Sequence, residues 1–212
     1  MSKESFIYGI NSVAEALEYE SERIVKIFFV ENQKNNRVKS IIRQSNKKNI
    51  LSEEVTKEFL QNLLSTSKNQ GIAATLIQKD YFDAKTALHY LKNIESPLVL
   101  ILDDLDDPRN IGACYRTANA VGVDMVVVSK NRISLNSPVI SKVSSGAFEL
   151  TNTAIVSNIA QFINKLKKNG FWIYGSSDTA NKDYKEVDYQ DSTAIVIGSE
   201  GKGMRDLTAK KC

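Results

Sequence analysis

Apolar residues recur along the first eighty positions of this chain with two periods, one typical of amphipathic helices and the other of half-buried strands. The predicted order is helix, strand, helix, strand, helix and strand, at positions 10–17, 24–30, 38–42, 50–51, 55–63 and 71–77. Such an alternation within a short stretch predicts a compact α/β unit with a core of its own.

Strands and helices alternate again in the rest of the chain. Positions 80–96 form a connector, and its one amphipathic helix is marked by Ala84, Leu88 and Leu91. Apolar runs then predict strands at 98–102, 125–128, 154–156, 172–174 and 194–197, and helices at 159–166 and 204–211. This order is typical of a parallel sheet covered by helices on both faces. We therefore predict an α/β protein with domains at 1–79 and 97–212, joined by a connector at 80–96.

The composition is that of a folded globular protein, since 42% of the 212 residues are hydrophobic and 25% are charged. The formal net charge of +3 permits an RNA partner but does not argue for one. Neither a signal-peptide pattern nor an apolar run of membrane-spanning length is present, so we expect a cytoplasmic protein without a membrane partner. Two cysteines, Cys114 and Cys212, are too few for a disulfide framework or a zinc site.

Two segments about eighty residues apart each join a predicted strand to a turn and a helix start. The first, 105–122, reads LDDPRNIGACYRTANAVG, and Asn110 is predicted to cap a helix that carries Arg116. The second, 194–204, reads AIVIGSEGKGM and places three glycines and Glu200 at the carboxyl end of a strand. Ligands of open α/β sheets bind at that edge, so the two segments together predict a binding site.

Each of these residues also has an ordinary structural interpretation when it is taken alone. An asparagine after a proline is commonly a helix cap, and an isolated arginine is commonly a solvated surface residue. A carboxylate such as that of Glu200 is favourable in the first turn of any helix, and glycines at strand ends are common turn formers. The functional interpretation depends on both segments occurring in one chain.

In this order and at this separation, the two segments resemble the SpoU (TrmH-type) branch of the SPOUT RNA methyltransferases. The family motifs read N-x-G-A-x-x-R-T-A and G-x-E-G-x-G, and the stretch 142–149 (KVSSGAFE) resembles the family's intermediate K-x-x-x-G-A-x-E segment. The resemblance implies a small L30e-like N-terminal domain that binds substrate RNA, followed by a parallel-sheet SPOUT (α/β-knot) domain that is catalytic. The stretch 69–73 (NQGIA) resembles the H-Q-G-I-x-A of such N-terminal domains, with Asn69 in place of the histidine.

The family's third motif, an N-x-S-x-A helix start, does not occur in this sequence. In the relatives, the corresponding segment completes a trefoil knot, closes the adenosyl pocket and supplies much of a dimer interface. Knots are rare among folds, so this segment is the device that defines the fold. The expectation is a C-terminally incomplete copy of the enzyme, in which the knot-completing segment is absent.

The resemblance implies transfer of a methyl group from S-adenosyl-L-methionine to a ribose 2′-hydroxyl of RNA, a reaction that needs no metal. Arg116 would stabilise negative charge on the attacking oxygen, because a guanidinium carries a permanent charge and several donors. Asn110 and Glu200 would orient the reacting groups. The residues expected to bind the cofactor are Gly198, Ser199, Gly201, Gly175 and Ser176.

The N-terminal unit points to the sub-branch that methylates a guanosine of large-subunit ribosomal RNA, with tRNA as the alternative substrate and a homodimer expected for the complete protein. A non-catalytic RNA-binding protein is the main alternative, because the third motif is missing. A dinucleotide enzyme is disfavoured, since no G-x-G-x-x-G follows the first strand of the second domain. The aspartates that follow that strand would also repel a pyrophosphate; they are Asp103, Asp104, Asp106 and Asp107.

Overall fold

A computed structural model describes residues 4–130, 135, 137–189 and 191–212 of the chain. The strands are β1 (Glu4–Tyr8), β2 (Ile24–Val30), β3 (Leu51–Val55), β4 (Ile72–Ile77), β5 (Leu98–Leu102), β6 (Met125–Ser129), β7 (Thr153–Val156), β8 (Trp172–Gly175) and β9 (Thr193–Ile197). The helices are α1 (Ile10–Tyr19), α2 (Asn36–Lys47), α3 (Lys57–Leu64), α4 (Ala84–Leu91), α5 (Pro108–Ala120), α6 (Pro138–Val143), α7 (Ala147–Leu150), α8 (Ile159–Lys167) and α9 (Asp206–Ala209). No helix in the described ranges is both long and apolar enough to cross a membrane.

The chain divides into two compact units. The first consists of Met1–Asp80, Gly112–Arg116 and Leu135–Leu150, and the second of Tyr81–Ile111, Thr117–Ser134 and Thr151–Cys212. The domain boundaries that the sequence suggests stay a prediction.

The first unit contains a mixed four-stranded sheet in the order β1-β4-β2-β3. Strand β4 is antiparallel to both β1 and β2, whereas β2 and β3 run parallel. Helices α1 and α2 contribute Val13, Leu17, Val38 and Ile41 to a core that also contains residues of β1, β2 and β4. These helices and strands β2 to β4 confirm the predicted alternation.

One strand of this unit has no counterpart among the predictions, and one predicted helix boundary is wrong. Strand β1 was not expected, because it is short and only its last two residues are buried. The third helix was expected from position 55, but Val55 is the last residue of β3. Thr56 then caps α3 by accepting a hydrogen bond from the backbone N–H of Phe59 at 3.2 Å.

The second unit is built on a five-stranded sheet in the order β7-β6-β5-β9-β8. All of its strand pairs are parallel, as the alternation of strands and helices predicted. Strand β6 is buried at every position, which is typical of a parallel strand inside an α/β domain. The core also takes apolar side chains from α4 and α8, including Leu91, Ile159, Phe162 and Leu166.

Candidate active site

The two sequence motifs follow adjacent strands of the parallel sheet. Leu98–Leu102 of β5 pairs with Thr193–Ile197 of β9, residue by residue. Because the two strands run parallel, the segments that leave their carboxyl ends begin at the same edge of the sheet. This is the edge at which open α/β sheets bind their ligands.

The amide of Asn110 connects the two motif segments. Asn110 is not the N-cap that the sequence suggested: Asp107 caps α5 by accepting from the backbone N–H of Arg109 at 2.8 Å, and Pro108 takes the first helical position. Asn110 therefore lies within the first turn, where its side-chain Nδ2 donates to Oε2 of Glu200 at 3.2 Å. The structure thus brings together two of the three predicted catalytic residues.

The loop after β9 is closed on itself. The backbone N–H of Ser199 donates to the carbonyl of Gly203 at 3.0 Å, and the N–H of Gly203 donates back to the carbonyl of Ser199 at 2.9 Å. A Cβ added to Gly198 would overlap the backbone of Gly203 and Met204, so this position has no room for a side chain. Gly201, in the middle of the loop, has a φ of +84°, but a Cβ added there would meet no atom within 4 Å.

An ion pair between a buried aspartate and a partly exposed arginine, which the sequence did not predict, holds the end of this loop. The side chain of Asp103, the residue after β5, is fully buried. Its Oδ2 accepts from the backbone N–H of Arg205 at 2.9 Å, and its Oδ1 accepts from Nε of the same arginine at 2.8 Å and from Nη2. These hydrogen bonds raise the pKa of the Arg205 guanidinium.

The ion pair also explains why the last helix starts later than predicted. The Arg205 N–H donates to Asp103, and Arg205 is extended, with φ −63° and ψ 144°, so α9 begins at Asp206 rather than at the predicted position 204. The helix also ends earlier than predicted, at Ala209 rather than 211. No periodicity links two residues 102 positions apart. The available signal is an aspartate directly after one strand and an arginine two positions after the last glycine of the loop that follows another.

A cleft of about 1280 Å³ opens beside the carboxyl end of β8. Gly175 and Ser176, two of the predicted cofactor-binding residues, line it. Its aromatic wall contains Tyr174 and Tyr189, whose rings meet edge to face with centroids 5.3 Å apart. Ser176 also extends the sheet, because its backbone N–H donates to the carbonyl of Val196 at 2.9 Å.

The other three predicted cofactor-binding residues lie in the neighbouring loop rather than along the wall of this cleft. Gly198, Ser199 and Gly201 are absent from the described residues that line it. A link between the loop and the cleft exists at Gly175, where an added Cβ would come within 2.6 Å of Cε of Met204. Met204 directly follows the last glycine of the loop, so the end of the loop packs against Gly175, a residue that lines the cleft.

Arg116, the third predicted catalytic residue, lies on α5 six positions after Asn110, and its side chain is exposed. Cys114 on the same helix is half-buried, and burial raises the pKa of its thiol. A raised pKa disfavours the reactive thiolate, which argues against a nucleophilic role for Cys114.

Comparison with known proteins assigns the chain to a family. Residues 97–212 match the SpoU rRNA Methylase family, and residues 6–82 match the family of RNA 2′-O ribose methyltransferase substrate-binding domains. The chain belongs to the SpoU rRNA methylase family. It is 39% identical to the 23S rRNA (guanosine-2′-O-)-methyltransferase RlmB of Coxiella burnetii, over all of this chain and 85% of that protein. It is 34% identical to RlmB of Vibrio vulnificus, again over all of this chain and 85% of the relative.

Solved structures show the same fold. The SpoU methyltransferase AviRb from Streptomyces viridochromogenes, in complex with AdoMet, superposes with a TM-score of 0.79 at 15% identity, over 99% of this chain and 78% of that protein. An rRNA methyltransferase from Sinorhizobium meliloti superposes with a TM-score of 0.75 at 18% identity, over all of this chain and 77% of that protein.

The intermediate family segment, 142–149, makes its contacts within the first unit. The ammonium of Lys142 donates to the carbonyl of Lys68 and lies 4.7 Å from the ring centroid of Tyr8. At the other end of the segment, Glu149 accepts from Nη2 of Arg23 at 3.1 Å. Both charged residues of this SpoU segment therefore have packing partners in the first unit.

Asn69, which replaces the histidine of related N-terminal domains, is buried and supports a turn. Its Oδ1 accepts from the backbone N–H of Gly71 at 2.9 Å, and its Nδ2 donates to the carbonyl of Thr66 at 3.1 Å. The next residue, Gln70, accepts from the N–H of Ile10 at 3.0 Å, at the start of α1. Both side chains hold the backbone of this unit together.

Proposed function

We propose that this protein transfers a methyl group from S-adenosylmethionine to the ribose 2′-hydroxyl of a guanosine in 23S rRNA. The observation that carries the proposal is the hydrogen bond from Asn110 to Glu200, which joins the two SpoU motifs at the carboxyl ends of adjacent parallel strands. The names of these two relatives supply the guanosine and the ribosomal RNA. We place the protein in the cytoplasm, where ribosomal RNA is made in bacteria, and we propose that it acts as a homodimer.

The cleft beside β8 has the chemical character that the methyl donor requires. Tyrosine rings offer an apolar surface for an adenine, and nearby backbone groups and hydroxyls offer hydrogen bonds to a ribose and an amino acid. Gly175 and Ser176 lie on its wall, and we assign Gly198, Ser199 and Gly201 to the adjoining side of the same site. The donor supplies a methyl carbon on a positively charged sulfur, which is already a good leaving group.

The remaining task of the protein is to align the hydroxyl and to stabilise the charge that develops on its oxygen. We assign the second task to Arg116, whose exposed guanidinium can donate to a ribose oxygen or a phosphate of the RNA. A guanidinium is not a base at neutral pH, so the hydroxyl proton passes to a phosphate oxygen of the substrate. Asn110 fixes the direction of the Glu200 carboxylate, which in turn orients the substrate.

Deletion of the gene, followed by mapping of ribose methylation in 23S rRNA, tests the proposal. One methylated guanosine should disappear in the deletion strain and return when the gene is restored on a plasmid. The plasmid encoding Arg116→Ala should restore methylation at least about a hundredfold more slowly, because one donor to a developing oxyanion is typically worth that factor.

Arg109→Ala is the matched control, since Arg109 is an exposed arginine of the same helix that lies outside the motif positions. It should restore methylation like the parent gene. An unchanged methylation pattern in the deletion strain would contradict the proposed function, and it would favour an RNA-binding protein without catalysis.

A further inference from the structure

The basic residues of this chain are unevenly distributed. Between positions 32 and 52 there are six lysines or arginines and no aspartate or glutamate. The whole chain has 28 basic and 25 acidic residues, so the remainder of the sequence carries an excess of acidic residues. The modest net charge therefore hides one strongly basic segment, which comprises the loop before α2, the helix itself and the turn after it.

Helix α2 separates its apolar and basic residues onto opposite faces. Val38, Ile41 and Ser45 are buried against the core of the first unit. Lys39, Arg43 and Lys47 recur every four positions on the opposite side, and all three are exposed. We call these three residues the basic stripe.

The basic stripe has no counter-charge within the described part of the chain. None of its three side chains forms an ion pair or a hydrogen bond with a described residue. Two other cations of the segment differ in this respect, because Arg37 donates to Asn11 and Lys48 donates to the carbonyl of Leu17.

Like charges four positions apart on a helix destabilise it. A row of three such charges without an ion-pair partner among the described residues therefore costs some stability. An anionic partner would offset that cost, since it would neutralise all three charges at once.

We propose that the basic stripe of α2 binds the phosphate backbone of the substrate RNA. This inference rests on the proposed function, which makes RNA the substrate. The side chains of the stripe follow one another at intervals of about 6 Å along the helix, so they can meet consecutive phosphates of one strand. Such contacts add affinity but carry no base specificity, and they position the RNA without taking part in the methyl transfer.

Phosphate contacts have a measurable signature in the salt dependence of binding. Each neutralised phosphate steepens the slope of log affinity against log salt by about 0.7 to 0.9. Removing three contacts should therefore flatten the slope by about 2 to 3 and weaken binding about a hundredfold at 0.1 M salt. The difference between the proteins should shrink as the salt concentration approaches 1 M.

The test compares two triple variants by fluorescence anisotropy with a 23S rRNA transcript and with a duplex RNA of unrelated sequence. The first variant carries Lys39→Gln, Arg43→Gln and Lys47→Gln. The matched control carries Lys165→Gln, Lys167→Gln and Lys168→Gln, which removes the same charge from exposed lysines at the end of α8. The stripe variant should lose affinity for both RNAs and the control should lose little.

Thermal unfolding provides a second readout that separates binding from folding. The stripe variant should be at least as stable as the parent, because the repulsion along α2 has been relieved. In methyl-transfer assays its KM for RNA should rise while kcat stays unchanged.

Equal affinity of parent and stripe variant, or an equal loss in the control, would overturn the proposal. Binding of the stripe to phosphatidylglycerol vesicles with unchanged RNA affinity would overturn it as well, and would identify a membrane surface as the partner. The proposed function has a separate readout, because RNA affinity can be lost while the methylation chemistry persists at saturating RNA.

Discussion

A buried carboxylate is held by an arginine in each of the two units, but the surroundings of the two carboxylates differ. Among the described residues, Asp103 forms an ion pair with one cation, Arg205, whose side chain is 40% exposed. Glu149 shares a mostly buried site with the cations Arg23 and Lys79 and with a second carboxylate, Glu20. The first pair leaves its cation hydrated, whereas the second cluster removes cations and anions from water together.

The difference in hydration has consequences for what each group of charges can do. Asp103 accepts from a backbone N–H as well as from the guanidinium, so it fixes the course of the main chain after the glycine loop. In the other cluster, burial lowers the pKa of Lys79 to about 8 and raises the pKa of Glu149. We therefore expect changes around Asp103 to alter activity, and changes around Glu149 to alter the pH dependence of stability.

The glycine loop that Asp103 anchors should show the largest effect. Gly198→Ala places a methyl group against the backbone of Gly203 and Met204, so the loop must open. Methylation by the variant gene in the deletion strain should fall at least about a hundredfold, because misplacing catalytic groups by about 1 Å has that cost.

Gly170→Ala, in the turn between α8 and β8 and outside the proposed cofactor site, is the matched control. It adds the same methyl group where the space is open and strains only the backbone, whose φ is +85°. If both variants are as active as the parent, the close approach of Gly198 to the backbone of Gly203 and Met204 has no role in the reaction.

The sequence predicted the helices and strands better than it predicted the side-chain contacts made by the loops. Strand β5 was predicted with its observed bounds, because a continuous apolar run between polar residues is typical of a buried parallel strand. The cap of α5 was misassigned to Asn110, although Pro108 at the first helical position already indicated Asp107. That error concealed the free amide of Asn110 and therefore its bond to Glu200.

Some features of the site depend on tertiary structure and have no local pattern. The Asp103–Arg205 pair forms only because β5 and β9 are neighbours in the sheet, an order that the sequence does not state. The burial of Asn69 could not be predicted from local sequence either, since its hydrogen-bond partners belong to a turn whose shape is set by the packing of the first unit.

Asp103→Asn should have the next largest effect. The substitution removes the charge from a fully buried group that accepts hydrogen bonds from a guanidinium, and such bonds contribute about 1.5–3 kcal/mol each. We expect a loss of about 2–3 kcal/mol in the free energy of unfolding, together with lower methylation activity. Urea titration and complementation of the deletion strain measure the two effects.

Arg205→Lys distinguishes charge from geometry in this pair. A lysine retains the positive charge and the backbone N–H but loses the planar fork that reaches Oδ1. If the guanidinium positions the loop, Arg205→Lys should retain part of the stability that the ion pair provides but little of the methylation activity. Full activity in Arg205→Lys would instead assign the pair to stability alone.

The smallest effect is expected from Lys79, in the cluster with Glu149. Its pKa is about 8 in the folded protein against an ordinary value of 10.5, so between these pH values the unfolded chain binds more protons than the folded one. Stability contributed by this group therefore rises with pH, and below pH 8 the cost of burying the ammonium is fully present. Lys79→Met removes that cost, and it also removes this group's contribution to the pH dependence of stability.

The measurement is the difference in unfolding free energy between the parent and Lys79→Met at pH 7 and at pH 9. From pH 7 to pH 9, the free energy of unfolding of the parent should rise by about 1 kcal/mol relative to that of the variant, since one pKa unit corresponds to about 1.4 kcal/mol. Lys57→Met, at an exposed lysine of the same unit, is the control. Its free energy of unfolding should differ from that of the parent by the same amount at both pH values. A constant difference for Lys79→Met would mean that its ammonium is hydrated, and the contrast with the Asp103 pair would then disappear.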